Sequence, residues 1–337
     1  MDSLTHLVLG AAVGEVLAGK KIGRKAMFWG ALVNTIPDLD VLGGLFLSDA
    51  HQVMFHRGIT HSFLFVGICS FVLSWFFHLL WQGKKEWGLL DWFLFFAFGL
   101  LSHDLLDSLT GYGIGWFEPF SHLRVSFNSI FVADPFYTLP FLICILLALY
   151  AGKKSQRRRR FTHFGLFIST IYLFITLVNH YFVYHVAEKS LLRKHFSFDH
   201  LIVTPTPLNN FLWMAYTHDS LGSRIGYYSL LDKSPNIEFR RKYRNDSLLT
   251  PFNHLGDVKI LKLISNGNYL ITKEGKDIYF NDLRFGEMSG WDLSDTNFVF
   301  KFNVSTLDSN GYALNRMKYN VSYSNVLYSL TKRIMGK

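Results

Sequence analysis

The chain has 337 residues, half of them hydrophobic, with 33 Phe, 16 Tyr, 8 Trp and a positive mean hydropathy, a composition that excludes an ordinary soluble enzyme. The two cysteines, Cys69 and Cys144, both lie inside apolar runs and indicate no disulfide framework. The formal charge of +9 does not imply nucleic-acid binding, because the cations gather between apolar segments, where the positive-inside rule accounts for them.

Six apolar segments can be drawn, at about 4–18, 26–46, 61–81, 89–109, 131–150 and 161–184. Most are near the ~20 residues a helix needs to cross a hydrocarbon core. They predict an α-helical polytopic membrane domain over residues 1–186, with about five to six transmembrane helices. The first segment is short and rich in small residues (Gly10, Ala11, Ala12, Gly14), which suits either close helix packing or a helix that only dips into the bilayer. Met1 to Thr5 has no basic leader and no small-residue cleavage site follows, so this segment is expected to be retained.

Lys20, Lys21, Arg24 and Lys25 join the first two segments, Lys84 and Lys85 the next pair, and Lys153, Lys154 and Arg157 to Arg160 the last pair. The three loops are expected to be cytoplasmic. The chain then starts outside, crosses six times and delivers residues 187–337 to the outer side, which in a bacterium would be the periplasm. That second region changes character, since aromatic and β-branched residues alternate with polar ones and Asn, Asp and Gly punctuate them. It reads as a β-rich soluble domain, with a hairpin from Tyr269–Thr272 through Gly275 to Ile278–Phe285 and a further strand at Phe298–Val304. The basic stretch Arg240 to Arg244 reads as a solvated face.

Ionisable groups inside the apolar segments need a partner or a function, because each costs about 2.5–3.5 kcal/mol at a helix centre. His6 lies in the first segment. Pro37-Asp38-Leu39-Asp40 ends the second, where proline breaks the helix and lets both carboxylates turn toward one point. Such paired carboxylates repel unless a cation sits between them. His56-Arg57-Gly58-Ile59-Thr60-His61 leads into the third, with Gly58 allowing the backbone to fold back. In the fourth, His103 and Asp107 share a helix face, while Asp104 lies about 100° around and could serve a second ion or orient a ligand. Asp-x-Asp is also a common turn pattern, and His103 with Asp107 could be a hydrogen-bonded pair that locks helices together.

The predicted topology places all these groups on the outer side. Seven candidate ligands result: His6, Asp38, Asp40, His56, His61, His103 and Asp107. Imidazole with carboxylate suits zinc first and manganese second, with one or two ions. Arg57 and Arg124 are candidate anion partners, or equally anchors in the head-group region. With Asp104 they complete the candidate catalytic set. The sequence has no Gly-x-Ser-x-Gly elbow, phosphate-cradling glycine loop or Cys-x-x-Cys pair.

At these motifs the sequence resembles the family of inner-membrane, metal-dependent hydrolases of YdjM type. The resemblance rests on Met1-Asp2-Ser3-Leu4-Thr5-His6, Pro37-Asp38-Leu39-Asp40, His56-Arg57-Gly58, Thr60-His61-Ser62, Ser102-His103-Asp104 and Leu106-Asp107. It continues through Thr110, Tyr112-Gly113, Pro119-Phe120, Arg124 and Asp134-Pro135. Pro205 to Asn209, Leu212-Trp213 and Asp282 to Gly286 resemble the C-terminal portion of longer members. It implies a membrane hydrolase. Some members are described as partners of the LexA repressor, a role for which this sequence offers no separate feature.

The expected function is metal-dependent hydrolysis of a lipid-linked or periplasmic ester or phosphoester at the outer membrane interface. The partner is then a membrane lipid or lipid-linked substrate, with no nucleic acid, and nothing in the sequence specifies an oligomeric state. The alternative is a non-catalytic, metal-stabilised scaffold or a metal transporter that uses the same ligands.

Overall fold

The computed structural model describes all residues except 81–86, 152–155, 220–221, 293–296, 306, 309–310, 313, 318–322 and 337. The loop cations Lys84, Lys85, Lys153 and Lys154 lie outside the described residues. The chain divides into two units: Met1–Gly43 with Phe55–Thr176, and Gly44–Met54 with Leu177–Lys337.

The first unit is helical. Its elements are α1 (Ser3–Ile22), α2 (Lys25–Thr35), a 3-10 turn at Pro37–Leu39, the short α3 (Asp40–Gly44), α5 (Phe63–Leu80), α6 (Leu89–Ser108), α7 (Pro135–Tyr150) and the first part of α8 (Gln156–Arg193). The intervening α4 (Asp49–Phe55) belongs mostly to the second unit. Among the described residues α5, α6 and α8 are long and apolar enough to cross a membrane, and α7 is shorter. The six apolar segments of the sequence are therefore not six equivalent helices. Pro37 stops α2 after 11 residues, about 17 Å of helix, where a crossing needs roughly 30 Å.

The α1–α2 hairpin closes on glycine. A Cβ at Gly10 would collide with the Gly30 carbonyl oxygen, and one at Gly14 with that of Ala26. The small residues of the first segment thus serve close packing. Behind the hairpin, Ala18, Ala26 and Val33 pack with Val66, Phe77, Trp92, Phe96 and Leu100 of α5 and α6, while Val8, Ala12 and Met27 pack with Tyr137, Phe141 and Ile145 of α7. A buried ion pair, Arg158 Nε to Glu15 Oε1 at 2.8 Å, ties α8 to α1, and the same guanidinium donates to the Gly19 carbonyl at 3.0 Å. Large apolar side chains face outward instead of inward: Phe71 of α5 is 59% exposed and Phe174 of α8 66%. An apolar helix whose outer face is this greasy is built for lipid.

Two ends of this unit differ in chemistry. Lys20 and Lys21 close α1, Arg24 and Lys25 open α2, and Arg157 to Arg160 open α8. His6 lies 14 residues, or about 21 Å of helix, before Lys20 on α1. Capping fixes the His6 end: Asp2 accepts from the Thr5 amide at 3.0 Å, and Asp134 caps α7 through the Phe136 amide at 2.9 Å while accepting from Tyr172 at 2.8 Å.

The second unit carries antiparallel sheets. Strands β1 (Leu201–Pro205), β2 (Leu212–Asp219), β3 (Gly222–Ser229) and β4 (Arg240–Tyr243) form a meander in that order. Helix residues Val183, Val186, Ala187 and Leu191 pack in one core with Val203, Trp213, Ala215 and Tyr228. The second sheet has the order β10-β7-β6-β5, from β5 (Tyr269–Glu274), β6 (Asp277–Glu287), β7 (Phe298–Asn303) and β10 (Asn315–Arg316). The hairpin expected at Gly275 is present: Glu274 pairs with Asp277 across a two-residue turn in which Gly275 takes φ +61°. Strands β8 (Leu307–Asp308) and β9 (Gly311–Tyr312) make a small ladder, and α9 (Gly256–Ser265) and α10 (Tyr323–Ile334) complete the unit. The basic stretch Arg240 to Arg244 is β4 and its flank, with Arg241 paired to Asp219 and Lys242 to Glu287.

Candidate metal centre

Four donors from three sequence-distant stretches meet in the helical unit. Asp38, His61, His103 and Asp107 each offer one atom, and these atoms all lie within 4.8 Å of one another. His61 Nε2 and His103 Nε2 are 3.0 Å apart. Asp38 Oδ1 stands 3.6 Å from the first and 3.7 Å from the second. Asp107 Oδ2 stands 3.7 and 3.6 Å from the same two nitrogens.

Ligands about 2.0–2.1 Å from one ion at tetrahedral angles are separated from each other by about 3.3–3.4 Å. Five of the separations in the cluster fall on either side of that value, so the residues present fit a single four-coordinate cation. Direct hydrogen bonds explain the arrangement poorly, because 3.6–3.7 Å is too long for a hydrogen bond.

Each donor is aimed by its neighbours. His103 Nδ1 donates to the Asn34 carbonyl at 2.6 Å, which leaves Nε2 with its lone pair toward the cluster. Asn34 in turn donates through its amide to the Gly99 carbonyl at 2.7 Å and to Ser102 at 2.8 Å, locking the end of α2 against α6. His61 Nδ1 is 3.0 Å from Thr60 Oγ1, and that hydroxyl donates to Asp40 Oδ2 at 2.9 Å. The 3-10 turn at Pro37–Leu39 delivers Asp38, while α6 supplies both His103 and Asp107 from one face in its last two turns.

The two carboxylates of Pro37-Asp38-Leu39-Asp40 do not converge as the sequence suggested. Asp38 joins the cluster, but Asp40 turns to the loop behind it, accepting from His56 Nδ1 at 2.9 Å, the Arg57 amide at 2.9 Å and Thr60. With three donors Asp40 is already satisfied, and His56 is committed to it. Burial pushes the Asp40 carboxyl up, yet the His56 hydrogen bond and the neighbouring imidazoles outweigh it and hold the group below the usual carboxylate range. Asp40 and His56 therefore stand one layer outside the four donors.

His6 is also adjacent without being one of the four. Its ring stacks on His103 at 3.7 Å between centroids, and its Nε2 lies 3.1 Å from Asp107 Oδ1. The Met1 nitrogen meets both that imidazole and that carboxylate. Asp104 is buried on α6, and neither of its oxygens has a hydrogen-bond partner.

The two arginines occupy structural positions. Arg57 is 2% exposed, donates to Thr110 Oγ1 at 2.9 Å and lies over the Tyr112 ring. Its Nε is 3.0 Å from Asp107 Oδ2, a charge contact without hydrogen-bond alignment. Arg124 Nη1 grips the carbonyls of His56, at 3.2 Å, and Arg57. The backbone folds back here with the left-handed conformation at Arg57, φ +59°, while Gly58 has φ −85°. Arg124 holds the carbonyls of this strained turn in place. Asn34 was not singled out in the sequence, and Thr60 and Thr110 entered only through the family resemblance, because uncharged polar residues in apolar segments are common and carry no conspicuous cost.

The chain matches the YdjM inner membrane protein family over residues 1–183, and it belongs to that family. It is 36% identical over 128 residues to the inner membrane protein YbcI of Escherichia coli (strain K12), an alignment covering 36% of this chain and 69% of that protein. No solved structure matches. All four donors, and the residues that aim them, fall inside the matched region.

Proposed function

We propose that this YdjM-family membrane protein is a metal-dependent hydrolase that holds one divalent cation, zinc first and manganese second, on Asp38, His61, His103 and Asp107. Its substrate would be a lipid-linked or periplasmic ester or phosphoester. The observation that carries the reading is the set of five donor separations between 3.0 and 3.7 Å, which fits a common ion.

A bound divalent ion would supply Lewis acidity, the means of activating water and polarising a carbonyl or phosphoryl oxygen near neutral pH. The chain's own groups then divide the remaining tasks. His61 and His103 present neutral imidazole edges fixed by Thr60 and by the Asn34 carbonyl. Asp38 is the partly exposed member of the four, its side chain 17% accessible where the other three are fully buried, so it marks the side from which substrate and water arrive. Asp104, a buried carboxyl free of hydrogen bonds, would carry a proton. The apolar outer faces of α5 and α8 favour a substrate that partitions into the bilayer.

A second reading is favoured by the same burial. Four protein donors complete a tetrahedral shell, as in structural sites, and three of them are inaccessible. The protein would then be a metal-stabilised scaffold.

The test is elemental analysis of purified full-length protein after chelation and reloading with zinc or manganese, followed by assay against phosphoesters, acyl esters and lipids. About one ion per chain is expected, lost in His61→Ala, His103→Ala and Asp107→Asn and kept in His56→Ala. Asp104→Asn is expected to keep the ion and lose about a hundredfold in turnover. Undiminished metal in the three ligand variants would reject the site. Metal binding without cleavage across the panel would select the scaffold.

A further inference from the structure

At the cationic end of the helical unit lies a cavity of about 610 Å³, walled by the α1–α2 connection and the start of α8. Lys20, Arg24 and Lys25 line it from one side, and Gln156, Arg158 and Arg159 from the other. Two of the surrounding cations are committed elsewhere: Arg158 to Glu15 and the Gly19 carbonyl, and Lys21 to Asp91 at 3.5 Å with its ammonium over the Trp87 ring. Among the described residues, no carboxylate forms an ion pair with Lys20, Arg24, Lys25 or Arg159. Arg24 Nε is buried and has no hydrogen-bond acceptor. Buried donors are nearly always satisfied, so an orphaned guanidinium N–H in a concave, four-cation wall points to an acceptor supplied from outside the chain.

Topology alone explains why cations collect at one helix end, but it requires neither a cavity nor a buried arginine donor. Planar guanidinium groups match the oxygens of a phosphate. The cavity is also wide enough for a small head group, and it sits at the ends of helices whose outer faces are apolar.

We propose that this cavity binds a phosphate-bearing anion, supplied by the head group of an anionic phospholipid at that end of the helices. The site is independent of the metal cluster and of any hydrolytic role.

Full-length protein in nanodiscs of phosphatidylcholine is titrated with dioctanoyl phosphatidylglycerol, with dioctanoyl phosphatidylcholine and with inorganic phosphate, and binding is read by calorimetry and native mass spectrometry. Saturable binding of one phosphatidylglycerol per chain is expected, with no equivalent site for phosphatidylcholine. The double variant Arg24→Gln, Arg159→Gln should weaken it about tenfold or more. Lys259→Gln with Lys262→Gln, the same charge change on α9, should leave it unaltered. Should the first pair fail to fold, Lys20→Gln with Lys25→Gln removes two exposed cations of the same wall and is expected to weaken binding about threefold or more. Inorganic phosphate that binds as tightly as the lipid would identify free phosphate as the source and uphold the site. Failure of both lipid and phosphate to saturate, or equal weakening by the α9 variant, would overturn it.

Discussion

A histidine is a well-placed metal ligand when its other nitrogen is already committed. His103 meets this condition through the Asn34 carbonyl and His61 through Thr60, whose hydroxyl reaches on to Asp40. Thr60→Val keeps the shape and removes the relay, so zinc affinity should fall about tenfold without loss of the site, as read by competition with a chromogenic chelator. Unchanged affinity would show that Asp40 does not act through Thr60. The charged residue types of the site were legible in the sequence because ionisable groups in apolar helices are costly and stand out. The different fates of Asp38 and Asp40 were not, since they depend on the 3-10 geometry after Pro37, and neutral partners such as Thr60 leave no trace in hydropathy. A further histidine sets an acid response in the second unit. His218 bonds Ser223 and Asn268, and burial holds its pKa below the ordinary 6.5. The unfolded chain thus takes up a proton that the folded one refuses. Stability should be unaffected above pH 6.5 and fall as the pH drops from there toward the folded pKa, by at most about 1.4 kcal/mol per pH unit. Hydrogen exchange of β2 and β3 amides, corrected for intrinsic rates, should show that slope, and His218→Gln should flatten it.

At the scale of elements, the α1–α2 hairpin positions Asp38. Its glycine contacts bring the backbones together, and the buried Glu15–Arg158 pair holds its far end to α8. Removing one member strands the other charge, so Glu15→Ala should cost about 3–5 kcal/mol, visible as a large fall in thermal midpoint in detergent. Replacing both, as Glu15→Leu with Arg158→Met, should restore most of that stability. If the double variant were as unstable as the single, the pair would contribute its own attraction beyond mutual neutralisation. The sequence marked the small residues and the break at Pro37, yet it suggested one continuous apolar segment over 26–46. Apolar composition continues past the proline, but the helix does not, and only the backbone shows that the second carboxylate follows a new turn. The β-hairpin at Gly275 was legible because its turn requires positive φ and a short loop, both of which leave a local signature. The inclusion of Gly44–Met54 in the second unit has no such signature, since it depends on contacts like Asp49 with the Arg316 amide, more than two hundred and fifty residues away.

For the molecule as a whole, the decisive property is which side of the membrane the donors face. In the helical unit the elements alternate between two ends. α5 leaves the donor end after His61, α6 returns to it at Asp107, and α7 leaves it from Thr138, whose hydroxyl bonds Thr5. α8 starts beside Glu15 at the cationic end and reaches Asp134 through Tyr172. The α1–α2 hairpin departs from the donor end and comes back to it, so parity is the same whether it crosses the bilayer or only enters it. If the cations lie inside, as positive-inside insertion favours, the donor end of the helical unit would lie outside, and the chain would leave α8 on that side. A reporter that fluoresces or turns over only in the periplasm, fused after residue 337, should therefore be active, and one fused in the α1–α2 connection beside Gly23 should be silent. A cytosolic reporter should give the reverse pattern. Cytosolic activity at the C-terminal fusion would place the donor cluster on the opposite face, and with it the substrates would have to be sought in the inner leaflet.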